Sequence, residues 1–315
     1  MTSPRVEDMP VVRRRRGLRR LKDVPVLPSL VTLGNVFCGF LAISKVADAL
    51  RLAHPGAPFT TVLPLFEAAT LLVFFAMVLD ALDGRVARMT GQTTPFGAQL
   101  DSMADMVTFG LAPAFLAKVL VDWHAQTDDN RLLPLHPKLF FAAAAVYVLC
   151  AALRLARFNV ETSADEEDHR EFKGLPSPAA AAVVCSLVAL FCSRRDADSD
   201  LRTWLAETGA FDAIVRTMPV LLVLLGLLMV SRIPYPHALH TILKKRHSMP
   251  FLAGLVIFLV VATVEWQVAA AVCTVGYVLS GIVVGVFRAV MRRHDDDDDE
   301  DFEDEAALRL PPSRN

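Results

Sequence analysis

The chain has 315 residues, of which 54% are hydrophobic and 21% charged, with a formal net charge of −2 and a mean hydropathy of +0.42. Uncharged runs of 21, 20 and 22 residues lie between Asp23 and Lys45, between Lys173 and Arg194, and between Glu265 and Arg288. As helix, each is long enough to span a hydrocarbon core of about 30 Å, which excludes the disordered, fibrous and disulfide-rich secreted classes and argues against a soluble single domain.

The first segment, 1–22, carries the string VVRRRRGLRRLK. Arginines set immediately beside an apolar run suit anionic lipid headgroups and fix the orientation of the span that follows, so this segment is expected to be cytoplasmic and no nucleic-acid partner is expected. The run from Val24 is longer than the core of a signal peptide and is expected to be a retained first span. Eight spans are predicted, at 28–48, 62–82, 97–121, 138–158, 176–193, 213–231, 249–265 and 267–288. The hinge between the last two is only Glu265-Trp266-Gln267, which predicts either a tight helical hairpin or the failure of one of them to cross. With both termini cytoplasmic, 21 Lys and Arg fall on the inner side and seven on the outer, in keeping with the positive-inside rule.

Residues 295–305 hold ten of the 34 acids, and setting them aside leaves 24 acids against 32 Lys and Arg. The body is therefore basic, and 294–315 is expected to be an acidic, disordered tail. The five cysteines are odd in number and form no CxxC pair, and the eight histidines show no ligand spacing, so neither a disulfide framework nor a zinc site is predicted.

The chemistry is concentrated in LDALDGRVARMTGQTTPFGAQLDSMADMVTFG, residues 79–110. Asp80 and Asp83 are spaced i, i+3, and Asp101 and Asp105 i, i+4, so each pair lies on one face of its own helix. Gly91, Pro95 and Gly97 supply a turn between the helices. Four carboxylates are then expected to meet at the cytoplasmic end of two adjacent spans. An acid within a span costs roughly 2.5–3.5 kcal/mol, and clustered acids repel one another. Two divalent cations would cancel that charge, and hard oxygen donors favour Mg²⁺ or Mn²⁺ over zinc. A pair of such ions is a known clamp for displacement at phosphorus. Gly84 lets a ligand approach the helix backbone, Ala87 keeps that face open, and the planar fork of Arg88 suits phosphate oxygens. A second polar group, Arg154, Arg157 and Asn159, ends the fourth span and is followed by Lys173 and Ser177. Arg154 and Arg157 share a helical face and are candidates for a lipid phosphate or an acceptor carboxylate.

The pattern D-x2-D-G-x2-A-R-x8-G-x3-D-x3-D, complete from Asp80 to Asp105, resembles the signature of the CDP-alcohol phosphatidyltransferases. The strings PSLVTLGNVFCGF at 28–40, DMVTFGLAPAF at 105–115, LRLARFNV at 153–160, FKGLPSPAAA at 172–181 and LMVSRIPYP at 228–236 resemble the branch that acts on CDP-diacylglycerol and serine. At position 29 this chain has Ser where that branch often has Asn, which leaves Thr32 and Asn35 as the polar positions of the first string. The resemblance implies an all-α polytopic integral membrane protein, with a six-helix core and two additional C-terminal transmembrane helices. It divides the chain into a catalytic transmembrane domain at 23–240 and a helix pair at 241–293, between the basic segment and the acidic tail.

The resemblance further implies that Asp80, Asp83 and Asp101 hold the metals, and that Asp105 contacts the second metal and serves as general base. Gly84, Ala87, Arg88 and Thr94 would cradle the CDP moiety. The implied substrates are CDP-diacylglycerol and L-serine among membrane lipids, and the implied assembly is a homodimer. Two alternatives stay open at this point. One is the same chemistry with glycerol 3-phosphate or an inositol phosphate as acceptor. The other is a cation transporter using the acids as its ion path, although the acids cluster at one end and no inverted repeat is visible.

Overall fold

The computed structural model describes residues 26–52, 59–90, 94–127, 137–164, 174–195, 200–233, 235, 254, 260, 262–285 and 287. Where apolar side chains face lipid, every backbone polar group has to be satisfied within its own segment, and the described residues form helices joined by short turns. These are α1 (Val26–Leu52), α2 (Leu63–Thr90), α3 (Pro95–Asp105), α4 (Ala112–Thr127), α5 (Pro137–Ala164), α6 (Ser177–Cys192), α7 (Asp200–Glu207) and α8 (Ala210–Val230), followed by α9 (Trp266–Gly285).

Six stretches are long and apolar enough to cross a membrane: 28–52, 63–86, 95–125, 138–160, 210–230 and 266–285. They coincide with six of the eight predicted spans. The predicted span at 176–193 is the 16-residue helix α6, about 24 Å long, which is buried along most of its length at the centre of the bundle. The predicted span at 249–265 lies for the most part outside the described residues, as do the basic segment 1–22 and the acidic tail. Around α6 the other helices bury apolar residues, among them Phe66, Phe109, Tyr147, Met218 and Leu225. They turn Leu33, Phe37, Phe40, Phe75 and Val78 outward, as a lipid-facing surface does.

The third predicted span is not one regular helix. Between α3 and α4, residues Met106–Leu111 widen into a π-helical turn, closed by the N–H of Ala112 on the carbonyl of Val107. The physical cause is Pro113. It has no N–H to offer the carbonyl of Phe109, and its ring would crowd that carbonyl in a regular helix. The orphaned Phe109 oxygen instead accepts from the hydroxyl of Tyr147 on α5, at 3.0 Å.

Successive long helices alternate in direction, so the start of α1, the end of α2, the start of α3, the end of α5, the start of α6 and the end of α8 gather at one end of the bundle. There the backbone of Gly174 and Leu175 donates to the carbonyls of Ile233 and Leu228, at 2.9 and 3.1 Å. Gly174 has φ +94°, and a Cβ there would come within 2.6 Å of the carbonyl oxygen of Met229, so only glycine fits. At the opposite end the short helix α7, which the sequence did not predict, carries Arg202. Its guanidinium holds Glu265 at 2.9 Å just ahead of α9. Glu265 is thus a buried, paired charge at the start of α9, and the carbonyl of Glu265 accepts the N–H of Ala269.

Candidate active site

Thr94 caps α3 from an extended conformation, its hydroxyl accepting the N–H of Gly97 at 3.1 Å, and Pro95 follows at the first helical position. This start fixes the register that turns Asp101 and Asp105 toward the end of α2. One carboxylate oxygen each from Asp80, Asp101 and Asp105 lies within 4.8 Å of the other two. The sequence expectation of four converging carboxylates is met by three. Asp83 lies on the side of α2 that packs on α1, where its carboxylate accepts from the hydroxyl of Thr32, and it is buried. It nonetheless stays near enough to Asp80 and Asp101 to act on both through its charge.

Asp105 is the most enclosed of the three, and its Oδ1 is buried with no hydrogen-bond partner among the described residues. It faces Asn35 of α1 and Arg154 of α5. The amide of Asn35 is itself buried, with neither end paired among the described residues. Three hard oxygen donors converging with an orphaned buried oxygen fit a divalent cation of the Mg²⁺ or Mn²⁺ kind.

The carboxylates form one wall of a cavity of about 300 Å³. Arg154, Leu155 and Phe158 of α5, Pro176 and Pro178 at the start of α6, Tyr235 after α8 and Tyr277 on α9 complete it. Arg154 donates to the buried hydroxyl of Ser177 at 2.8 Å, which joins the second polar cluster of the sequence to the first. Asn159, one turn beyond Leu155, accepts from Ser102 at 2.9 Å and holds the end of α5 against α3.

Other predicted residues are placed differently. Arg157 lies one turn beyond Arg154 and does not line this cavity. Thr94 is engaged as the cap of α3. Gly84 lies in α2 beside Asp83. Positions 87 and 88 continue α2, but the side chains of Ala87 and Arg88, like all of Lys173, lie outside the described residues.

Tyr235 and Tyr277 were not anticipated from the sequence. Tyr277 belongs to the C-terminal segment that the sequence reading set apart from the catalytic domain. The string containing Tyr235 was legible, but nothing in linear spacing says that its ring meets α9. The π turn did have a signal, in Pro113 four residues after Phe109.

The model of the family described as CDP-alcohol phosphatidyltransferase matches residues 25–228. The CDP-diacylglycerol–serine O-phosphatidyltransferase of Helicobacter pylori is 31% identical over 265 residues, 84% of this chain and 93% of that protein. The protein of the same name from Bacillus subtilis is 30% identical over 215 residues, 67% of this chain and 90% of its own. Its namesake from Methanocaldococcus jannaschii is 34% identical over 165 residues, 52% of this chain and 62% of that one.

Proposed function

The chain belongs to the CDP-alcohol phosphatidyltransferase family, and from that premise we infer that it transfers the phosphatidyl group of CDP-diacylglycerol to the hydroxyl of L-serine, giving phosphatidylserine and CMP. It is an enzyme of phospholipid synthesis and a multi-pass membrane protein. The observation that carries the reading is the meeting of Asp80, Asp101 and Asp105 at the wall of a cavity that also holds Arg154. Anionic and cationic groups thus line one space, which we read as sized for a small polar acceptor.

Metal dependence is general in this family. In our reading Asp80, Asp101 and Asp105 hold divalent ions, Mg²⁺ or Mn²⁺, and Asp83 joins them from its place beside Thr32. When bound, such ions would neutralise the charge that develops on the diphosphate. The chain's own residues do the rest. Asp105 takes the proton of the acceptor hydroxyl, whose oxygen attacks the phosphatidyl phosphorus. The bond from that phosphorus to the bridging oxygen breaks, and CMP leaves with the electron pair. Positioning contributes more than basicity here, because a carboxylate is a weak base and its value lies in being held within reach. Asn35, with a buried amide facing the site, and Gly84, Ala87 and Arg88 at the end of α2 form the nucleotide side, while Arg154 holds the acceptor.

We place the site end on the cytoplasmic face, since the Arg-rich segment before α1 and most of the basic residues between spans fall on that side. The division at 23–240, with a separate pair at 241–293, is kept for the spans but not for the cavity, because Tyr277 reaches it. The homodimer rests on the resemblance alone, and sizing of the enzyme in lipid nanodiscs tests it.

The test of the function is release of labelled CMP from CDP-diacylglycerol, measured with serine, glycerol 3-phosphate, an inositol phosphate and no acceptor. Release that depends on serine and yields a serine-containing lipid supports the reading. Release that depends on another alcohol would replace the acceptor while leaving the chemistry. No release with any acceptor, together with cation flux in sealed vesicles, would favour the transporter.

A further inference from the structure

The matched family region ends at residue 228, yet two residues beyond it line the cavity: Tyr235, just past the end of α8, and Tyr277 on α9. Tyr235 is only 6% exposed, and its hydroxyl is buried with no hydrogen-bond partner among the described residues. A buried phenol usually finds a partner. The ring is held firmly in place. It lies across Gly281 of α9, where a Cβ would run into the ring, and beside the ring of Tyr277, at 5.9 Å between centroids and 38° between planes. Arg154, which lines the same cavity, is anchored through Ser177 and faces both Asp105 and Tyr277.

A guanidinium and a hydroxyl donor without a partner among the described residues make a site for an anionic oxygen group. Two sources could supply one: the carboxylate of the acceptor or a phosphate of the nucleotide lipid. The arrangement favours the carboxylate. In the reading above the aspartates and their ions take the diphosphate, so an acceptor that points its hydroxyl at Asp105 is left Arg154 and the Tyr235 hydroxyl for its carboxylate. An acceptor without a carboxylate would leave the Tyr235 hydroxyl buried and unmatched, and this is the arrangement that rejects analogues most strongly.

We propose that Tyr235, positioned by Gly281 and Tyr277, is a specificity-determining residue that donates a hydrogen bond to the carboxylate of the amino-acid acceptor, beside Arg154. The proposal rests on the serine reading above. It adds that acceptor choice depends on residues contributed from beyond the family core.

The experiment uses the full chain in lipid nanodiscs, with serine and its neutral isostere L-serine amide as acceptors. Tyr235→Phe should raise KM for serine by about tenfold or more, leave KM for CDP-diacylglycerol within about twofold, and shrink the preference for serine over the amide by a similar factor. Gly281→Ala, which displaces the ring without altering its hydroxyl, should show the same split. Thermal melting of both variants separates this from unfolding, which would lower kcat for both acceptors alike. An unchanged serine KM in Tyr235→Phe overturns the proposal. So does a rise confined to CDP-diacylglycerol, which would assign the hydroxyl to a phosphate. If the unaltered enzyme made no serine-containing lipid, the underlying reading would fall first, and that result is visible before any variant is made.

Discussion

The hydroxyl of Tyr147 donates to the carbonyl oxygen of Phe109 at 3.0 Å, and Phe109 is the residue whose helical partner Pro113 removes. The bond crosses from α5 to the π turn that follows Asp105, so it links the helix carrying Arg154 to the helix carrying two of the aspartates. Tyr147 is fully buried. In Tyr147→Phe the Phe109 oxygen loses the partner that replaced its helical one. The expected cost is about 0.6–2 kcal/mol, the range measured for hydrogen bonds between membrane helices, read as a lowered midpoint in thermal unfolding in detergent. A variant as stable as the parent would show that the π turn does not need this bond.

The carboxylate cluster predicts a strict requirement. Asp80→Ala and Asp101→Ala should insert and fold but show no turnover at any Mg²⁺ or Mn²⁺ concentration, because a missing ligand cannot be replaced by mass action on a misplaced ion. A chelator should abolish activity in the parent enzyme, and added divalent ion should restore it. Near-normal turnover in Asp101→Ala would sink the metal reading.

Asp105 is predicted to differ from its neighbours. Asp105→Asn keeps the volume and removes proton acceptance. It should bind CDP-diacylglycerol within a few fold of the parent and lose roughly 10²–10⁴ in single-turnover rate, as expected when a general base is removed. If binding collapsed instead, Asp105 would be chiefly a metal ligand and the base would lie elsewhere.

The pair at the far end gives a contrasting prediction. Arg202 and Glu265 are 13% and 10% exposed in their side chains and meet at 2.9 Å. Arg202→Ala strands a buried carboxylate and should destabilise by roughly 3–5 kcal/mol, whereas a pair fully open to water would contribute under about 1 kcal/mol. Because the pair lies at the end away from the aspartates, KM for both substrates should stay unchanged in the fraction that folds. A specific rise in one KM would mean that the two ends of the bundle are coupled.

The acidic tail is expected to be dispensable. Truncation after Arg293 should leave the rate per folded enzyme nearly unchanged, since a self-repelling block offers no fixed site. A loss beyond tenfold, about 1.4 kcal/mol, would give the tail a role in catalysis.

Much of this was legible before any coordinates. Long uncharged runs define the spans because lipid leaves the backbone no alternative partners. Acids at i, i+3 and i, i+4 define a site because they are too costly in a span to be incidental. Periodicity alone did not reveal which way Asp83 would turn. Three residues along a helix is close to a full turn but not quite, and the difference directs Asp83 toward Thr32 while Asp80 points at α3. The meeting of Tyr235 with Gly281 was hidden for another reason. It is a contact between residues 46 positions apart, and no local pattern encodes it. Pro113 was an available clue to the π turn, since a proline four residues past a helical carbonyl frees that carbonyl.

The joint at Gly174 has a consequence for how this enzyme can change over evolutionary time. The segments leading to Ser177 and to Tyr235 are tied by bonds between main-chain atoms, Gly174 to Ile233 and Leu175 to Leu228, and main-chain bonds do not depend on which side chains those positions carry. Positions 175, 228 and 233 pack in or against the apolar core, so they can exchange one apolar side chain for another without moving the seam. Position 174 cannot, because any Cβ there strikes the end of α8. The acceptor side of the cavity can thus be relined by substitution while its geometry is inherited intact, with one glycine as the invariant.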